Sequence, residues 1–174
     1  MHTYLHTTEN YNGQLTNQKG IHGFWESRIP ELLAENYDYW TGKAAFIQKP
    51  LDVAWETVKE SHLAVDTVLN FEKKLNDATD ADKKYVYENR GRVMMKVYSE
   101  EYTKQYNAML NGMVERRMRD AIIMVGSFWY SAWVKAGQPD LNKLVGIEFN
   151  PENDAALDSA YIKGKIKGRE CDDH

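Results

Sequence analysis

Residues 99–139 read SEEYTKQYNAMLNGMVERRMRDAIIMVGSFWYSAWVKAGQP, and this stretch decides the fold class. Ser99 suits an N-cap, and Gly137 with Pro139 supplies a stop, so the whole stretch reads as the longest helix of the chain. Leu110, Val114, Met118, Ala121, Ile122, Val125, Trp129, Ala132 and Trp133 recur in helical steps and make one unbroken apolar face. Glu115, Arg116, Arg119 and Lys135 occupy the opposite side.

The segments around it carry the same period. Pro50 fits the first turn of a long helix running to about Asn76, with Leu51, Trp55, Val58, His62, Val65 and Leu69 as its stripe. Thr79 or Asp80 can cap a shorter helix over 81 to about 89, which Gly91 would stop. Upstream, Ile21, Phe24, Trp25, Arg28, Ile29 and Leu32 start a helix in which Pro30 implies a kink or a fresh start, with fraying near Asn36. Residues 7–20 are polar, and Asn12-Gly13 marks a turn. No β-type alternation persists and no repeat is visible. The expectation is an all-α, multi-helix bundle: one partial helical domain over 1–174, with a ligand-bearing loop at 1–20, a helical core at 21–146 and a polar tail at 147–174.

Hydrophobic residues make up 43% and charged residues 28%, a globular balance rather than a disordered one. With 22 Lys+Arg against 26 Asp+Glu, the net charge of -4 argues against a general nucleic-acid-coating protein. It leaves open a nucleic acid held at a metal. Cys171 is the single cysteine, so no intramolecular disulfide can form. No run approaches the roughly 18 apolar residues of a membrane span, so no stable membrane insertion is expected. The first twenty residues lack the basic and apolar regions of a secretory signal.

The sharpest chemical constellation is His6, His22 and Glu26. His22 and Glu26 stand four apart on a helix and therefore share a face, one turn from each other. An imidazole and a carboxylate so placed can bind one cation, and His6 can add a third ligand from the loop upstream. Two histidines and one carboxylate form the ligand set of many catalytic zinc sites, in which water takes the fourth position. Zinc brings that water's pKa to about 7. By spacing alone such a pair is usually an ordinary surface pair. Three details favour the metal: the face continues into Ile29 and Leu33, Phe24 and Trp25 flank it, and His6 precedes it across a short polar loop.

His62 and Asp66, again four apart, form a second-choice site, though a core histidine whose ring N–H Asp66 accepts is the stronger reading. A di-iron Glu-x-x-His pair fails there, because Lys59 stands three before His62. Arg116, Arg117 and Arg119 read as solvated or ion-paired charge ahead of phosphate recognition, and Trp129, Tyr130 and Trp133 read as core packing. Catalytic and substrate-binding residues stay unassigned.

The segment LHTTENYNGQLTNQKGIHGFWESRIPELL, residues 5–33, resembles the bacterial phospholipase C-like branch of the zinc-dependent phospholipase C and single-strand-specific zinc nuclease (3′-nucleotidase) superfamily. The likeness lies in a His closing a ligand-rich stretch, a polar loop, and a helix bearing His22-Gly-Phe-Trp-Glu26. The stretch GMVERRMRDAIIMVGSFWYSAWVKAGQPDL, residues 112–141, also looks like that family's closing helix, so the resemblance covers about 5 to 141. It implies a mostly helical domain that hydrolyses phosphate esters with three zinc ions. The residues matching His6, His22 and Glu26 would hold one of them, and metal-bound hydroxide would attack phosphorus. The substrate would be a phospholipid or a single-stranded nucleic acid. The family's other zinc ligands fall before Met1, and His2 matches none of them.

Three further expectations follow from that pattern. At most one Zn2+ should bind here, with weak or no activity from this chain alone. The helices should keep an apolar surface through which the chain can self-associate. A full-length version with a signal peptide would lie outside the cytoplasm. The competing expectation is a non-catalytic helical module, or an inactive truncated relative, with no bound metal.

Overall fold

Five aromatic rings from three separate segments organise the core. Phe24 stacks on Tyr98 with centroids 3.8 Å apart and lies 5.1 Å from Tyr106, while Tyr98 stacks on Tyr102 at 5.7 Å. Tyr85 closes the group 4.8 Å from Tyr98. Phe24, Tyr102 and Tyr106 are almost wholly buried, together with Leu5, Ile21, Trp25, Ile29, Val68, Leu110 and Val114. Rings of this size bury 150–250 Å² each, which makes this cluster the main apolar contribution to the fold.

The computed structural model describes residues 4–146. A 3₁₀ turn at Leu5–Thr7 leads through the loop to α1 (Ile21–Gly23), a π-helical turn (Phe24–Arg28), α2 (Ile29–Leu33) and a second 3₁₀ turn, Ala34–Asn36. An extended segment precedes α3 (Pro50–Ala78). Then come α4 (Ala81–Lys84), β1 (Tyr85–Arg90), β2 (Val93–Tyr98), α5 (Glu100–Met109) and α6 (Met113–Lys135). The chain divides after Gly137 into a second unit, whose described part holds the 3₁₀ turn Leu141–Leu144, capped where Asp140 accepts from the Asn142 N–H. The expected polar tail at 147–174, with Cys171, lies outside the described residues, as does His2.

The all-α expectation is wrong in one place. The helix expected over 81 to about 89 stops after a single turn, and β1 pairs antiparallel with β2 from Tyr85↔Tyr98 to Arg90↔Val93. The fold is mixed, mostly helical with a two-stranded sheet, and not a pure helix bundle. The reason is local. Tyr85 pairs with Tyr98 and Val86 with Val97, β-branched or aromatic residues that fit a pleated surface, while Tyr87 stands opposite Lys96. Gly91 does not stop a helix. It takes φ +65 at the first position of a two-residue turn, as a type II′ hairpin requires. Arg28 then clamps the hairpin: it donates to the Tyr98 carbonyl at 3.0 Å and to both carboxylate oxygens of Glu88.

The longest helix is also not where it was expected. Leu110, Asn111 and Gly112 interrupt the 99–137 stretch, with left-handed φ values of 49 at Asn111 and 73 at Gly112. The 29-residue α3 is longer than either piece. Ser99 does cap α5, accepting from the Tyr102 N–H, and Pro50 does open α3. Pro30 lies in the first turn of α2, directly after the π-helical turn, so the fresh start near it is observed.

Both long apolar stripes are covered over only part of their length. Val65, Val68, Leu69 and Leu75 of α3 are buried, whereas Leu51, Trp55 and Val58 are exposed. Val114 of α6 is buried, whereas Ile122, Val125, Trp129 and Tyr130 are exposed, so the aromatic end of α6 is not core. The buried positions at that end are Ser127 and Ser131, whose hydroxyl oxygens accept the Ala45 and Ile47 N–H groups of the extended segment. Among the described residues no helix is long and apolar enough to cross a membrane.

Burial also sets the alkaline limit of the fold. Tyr37 is pushed up to about 12, first by burial and then by Tyr39 and Glu115. Burial likewise raises Tyr98, Tyr102 and Tyr106, with the nearby Glu72 carboxylate adding to it. A folded pKa above the unfolded value near 10 means that the folded state holds its proton more tightly. That stabilisation is complete below pH 10 and is lost as pH rises through the folded pKa. The urea midpoint should therefore fall steadily between about pH 10 and pH 12. A flat midpoint across that window would contradict the burial of these rings.

Candidate metal centre

Three side chains converge at the junction of the N-terminal loop and the first helical turns. His22 Nε2 lies 2.8 Å from Glu26 Oε1, His6 Nε2 lies 3.2 Å from the same oxygen, and the two Nε2 atoms are 3.0 Å apart. The sequence-derived trio is thus brought together, and among the described residues it is the group whose donor atoms meet this closely. His22 is nearly buried, Glu26 mostly so, and His6 is half exposed, so the site opens to solvent on the His6 side.

Each ligand has a traceable reason for its place. His22 sits in α1 and Glu26 in the π-helical turn, and four residues carry them to one face while Phe24 and Ile29 point into the aromatic core. Asn12 fixes where this helical run starts. Its Oδ1 accepts from the Gly20 N–H at 3.0 Å and the His22 N–H at 3.4 Å. Tyr11 lays its ring edge-on to His22 at 5.9 Å. His6 rides on the Leu5–Thr7 turn, and the core takes Leu5 beside it.

The loop between them is held from both sides. Asn10 accepts from the Leu15 N–H and donates to Thr16. Gln18, also buried, donates to the Leu69 carbonyl at 2.8 Å and to Glu72 at 2.6 Å, pinning the loop to α3. Glu72, almost fully buried, also accepts from Lys84 and Tyr102, so this buried carboxylate is paired and hydrogen-bonded. Gly13 has φ +71, and a Cβ there would lie 2.3 Å from the Gln18 carbonyl oxygen, so no other residue fits this turn.

The donor set can be tested for metal by asking whether protons alone could hold it. At Nε2 an imidazole offers either a proton or a lone pair. If His22 accepts a proton from His6, its lone pair faces the Glu26 oxygen at 2.8 Å. If it donates to Glu26, then His6 meets either an N–H with its own N–H or the carboxylate with its own lone pair. With Glu26 ionised, every assignment leaves one contact between like partial charges, and a cation at the centre removes the conflict. Consistently, Glu26 Oε1 is buried and accepts no hydrogen bond despite its close neighbours. Donor atoms 2.0–2.1 Å from a tetrahedral zinc stand roughly 3.3 Å apart, close to the 2.8–3.2 Å seen. The residues fit zinc.

His62 of the second-choice pair is not the core histidine expected. His62 is exposed and not in the core, and it does not join the converging donors. Its Nδ1 donates to the Thr7 carbonyl at 3.0 Å, and Asp66 is exposed. The apolar period misled here because α3 carries its stripe past the end of the core. Asn12, Gln18 and the Thr7 carbonyl were missed by the sequence reading. Only Asn12 carried a signal, as the first residue of an Asn-Gly turn.

Of the arginines, Arg117 is buried, donating to the Tyr4 hydroxyl at 2.6 Å and stacking 4.6 Å from its ring centroid, with Glu60 and Asp120 nearby. Arg119 donates to the Asp38 and Trp40 carbonyls. Both are structural ties, as the ion-pair reading expected. No family model matches the chain, and neither a curated protein nor a solved structure matches it.

Proposed function

We propose that this chain binds one Zn2+ through His6 Nε2, His22 Nε2 and Glu26 Oε1, and that the centre belongs to a phosphoesterase. The observation that carries the metal reading is the triangle of two imidazole nitrogens and one carboxylate oxygen within 3.2 Å of one another. The reaction class rests on the resemblance of residues 5–33 to the phospholipase C and zinc nuclease superfamily, whose complete domains hold three zinc ions. When bound, zinc supplies an acidified water and positive charge for phosphoryl oxygens.

The chain's own residues supply position and access. Glu26 and His22 are held in a buried helical turn, and Asn12 sets its start. His6 stands at the open side, where a phosphate ester can approach from solvent. A phospholipid head group and a single-stranded nucleic acid both present such an ester, and the site's geometry does not favour either.

The zinc-loaded chain should hydrolyse bis-p-nitrophenyl phosphate slowly and only with zinc, and Glu26→Gln should remove that rate. Phosphatidylcholine and single-stranded DNA then sort the substrate. Hydrolysis that proceeds equally without zinc, or that Glu26→Gln leaves intact, would overturn this reading.

A further inference from the structure

His62 occupies a place that neither of its expected roles explains. It is exposed, yet its ring is oriented, because Nδ1 lies 3.0 Å from the carbonyl oxygen of Thr7. A carbonyl only accepts, so Nδ1 carries the proton and Nε2 is left as the unprotonated nitrogen when the ring is neutral. Thr7 directly follows His6 on the short Leu5–Thr7 turn. The turn begins on Leu5, wholly buried in the core, and carries the half-exposed ligand His6. The turn has its own 3.4 Å backbone contacts at Thr7 and Thr8 and the 2.8 Å bond from the Thr7 hydroxyl to the Tyr4 carbonyl. The bond from His62 adds a tie from the turn's last residue, next to His6, to α3, the longest helix.

We infer that His62 is a positioning residue for the metal centre, holding the His6 segment in place by donating Nδ1–H to the Thr7 carbonyl. The role rests on the zinc reading of His6, His22 and Glu26, and it assigns His62 no bond to the metal. His22 and Glu26 are fixed by their helix whatever His62 does. His6 is the ligand whose place depends on the turn; partners bonded directly to a metal ligand are worth about 10–100-fold in affinity, and a bond to the next residue's carbonyl acts at the low end.

Side-chain geometry supplies a sharp test. The amide nitrogen of asparagine superposes on histidine Nδ1, whereas that of glutamine reaches the Nε2 position. Zinc affinity should therefore fall about tenfold in His62→Ala, be largely restored in His62→Asn, and stay low in His62→Gln. Competition of Zn2+ with a chelating dye measures this, with circular dichroism showing that each variant is folded. Long-range ¹⁵N–¹H spectra of the wild-type chain should show His62 as the Nδ1–H tautomer at a pH where it is neutral.

The possible failures are separable. Equal zinc affinity in all four forms, or the Nε2–H tautomer, overturns the positioning role while the metal site stands. Loss in Asn as large as in Ala also overturns it, since a direct ligand or a purely steric role would behave that way. No zinc binding by the wild-type chain overturns the metal reading and the positioning role together.

Discussion

Replacing His22 by Ala should weaken zinc binding by more than about a hundredfold, the upper end of what even an outer partner costs. The argument rests on two features of that side chain. Its Nε2 is in contact with both other donor atoms, at 2.8 and 3.0 Å, so its removal leaves His6 and Glu26 as a two-ligand site. It is also nearly buried, so no water-filled conformer replaces it at little cost. Because a buried side chain is deleted, a folding control is needed. Glu26→Gln keeps the volume and removes the negative charge, and it should lose zinc affinity to a similar degree while the far-ultraviolet circular dichroism stays unchanged. Calorimetric zinc titration of both variants measures the effect. Affinity within threefold of the parent in both would remove the site.

Phe24→Ala should destabilise the fold by about 3–5 kcal/mol, as large-to-small changes of a fully buried ring do. Phe24 is almost fully buried and touches three tyrosines, from the hairpin and from α5. Its ring is therefore where the site helix is joined to the rest of the molecule. The cavity left behind is lined by flat rings whose hydroxyls are already committed: Tyr102 donates to Glu72 and Tyr106 to the Val68 carbonyl. Those bonds resist the collapse that would otherwise soften the loss. Urea unfolding followed by tryptophan fluorescence checks it, and a change below about 1 kcal/mol would mean that the three-tyrosine stack is not formed. Since His22 and Glu26 flank Phe24 in sequence, zinc should recover part of the lost stability by binding the folded state.

The site was more legible than the fold around it. His22 and Glu26 could be read because four residues of helix place two side chains on one face, whatever the helix packs against. The π-helical turn between them did not spoil that face. The hairpin was not legible by period. Residues 85–90 and 93–98 are short, and Lys, Glu, Asn and Arg interrupt their apolar residues, so neither strand alternates cleanly. The Gly91 turn decides them, and Gly91 can equally end a helix. The break at Asn111–Gly112 was masked for a related reason, because Leu110 and Val114 keep the helical step across it.

Burial was the least readable property. Leu51, Trp55 and Val58 continue the stripe of Val65 and Leu69 without any change in chemistry, yet the core reaches only the latter. A periodic sequence shows which face is apolar and not which other element covers it. His62 was misplaced by the same rule. Its position on the stripe suggested burial, while its partner was a loop carbonyl 55 residues away in sequence.

The most direct test is the metal content of the purified wild-type chain. After loading with Zn2+ and exhaustive dialysis, atomic absorption should find close to one zinc per chain, and calorimetry should give a single binding event. No retained zinc, in a chain whose circular dichroism shows it folded, would contradict the metal centre and leave the His6–His22–Glu26 triangle without a function.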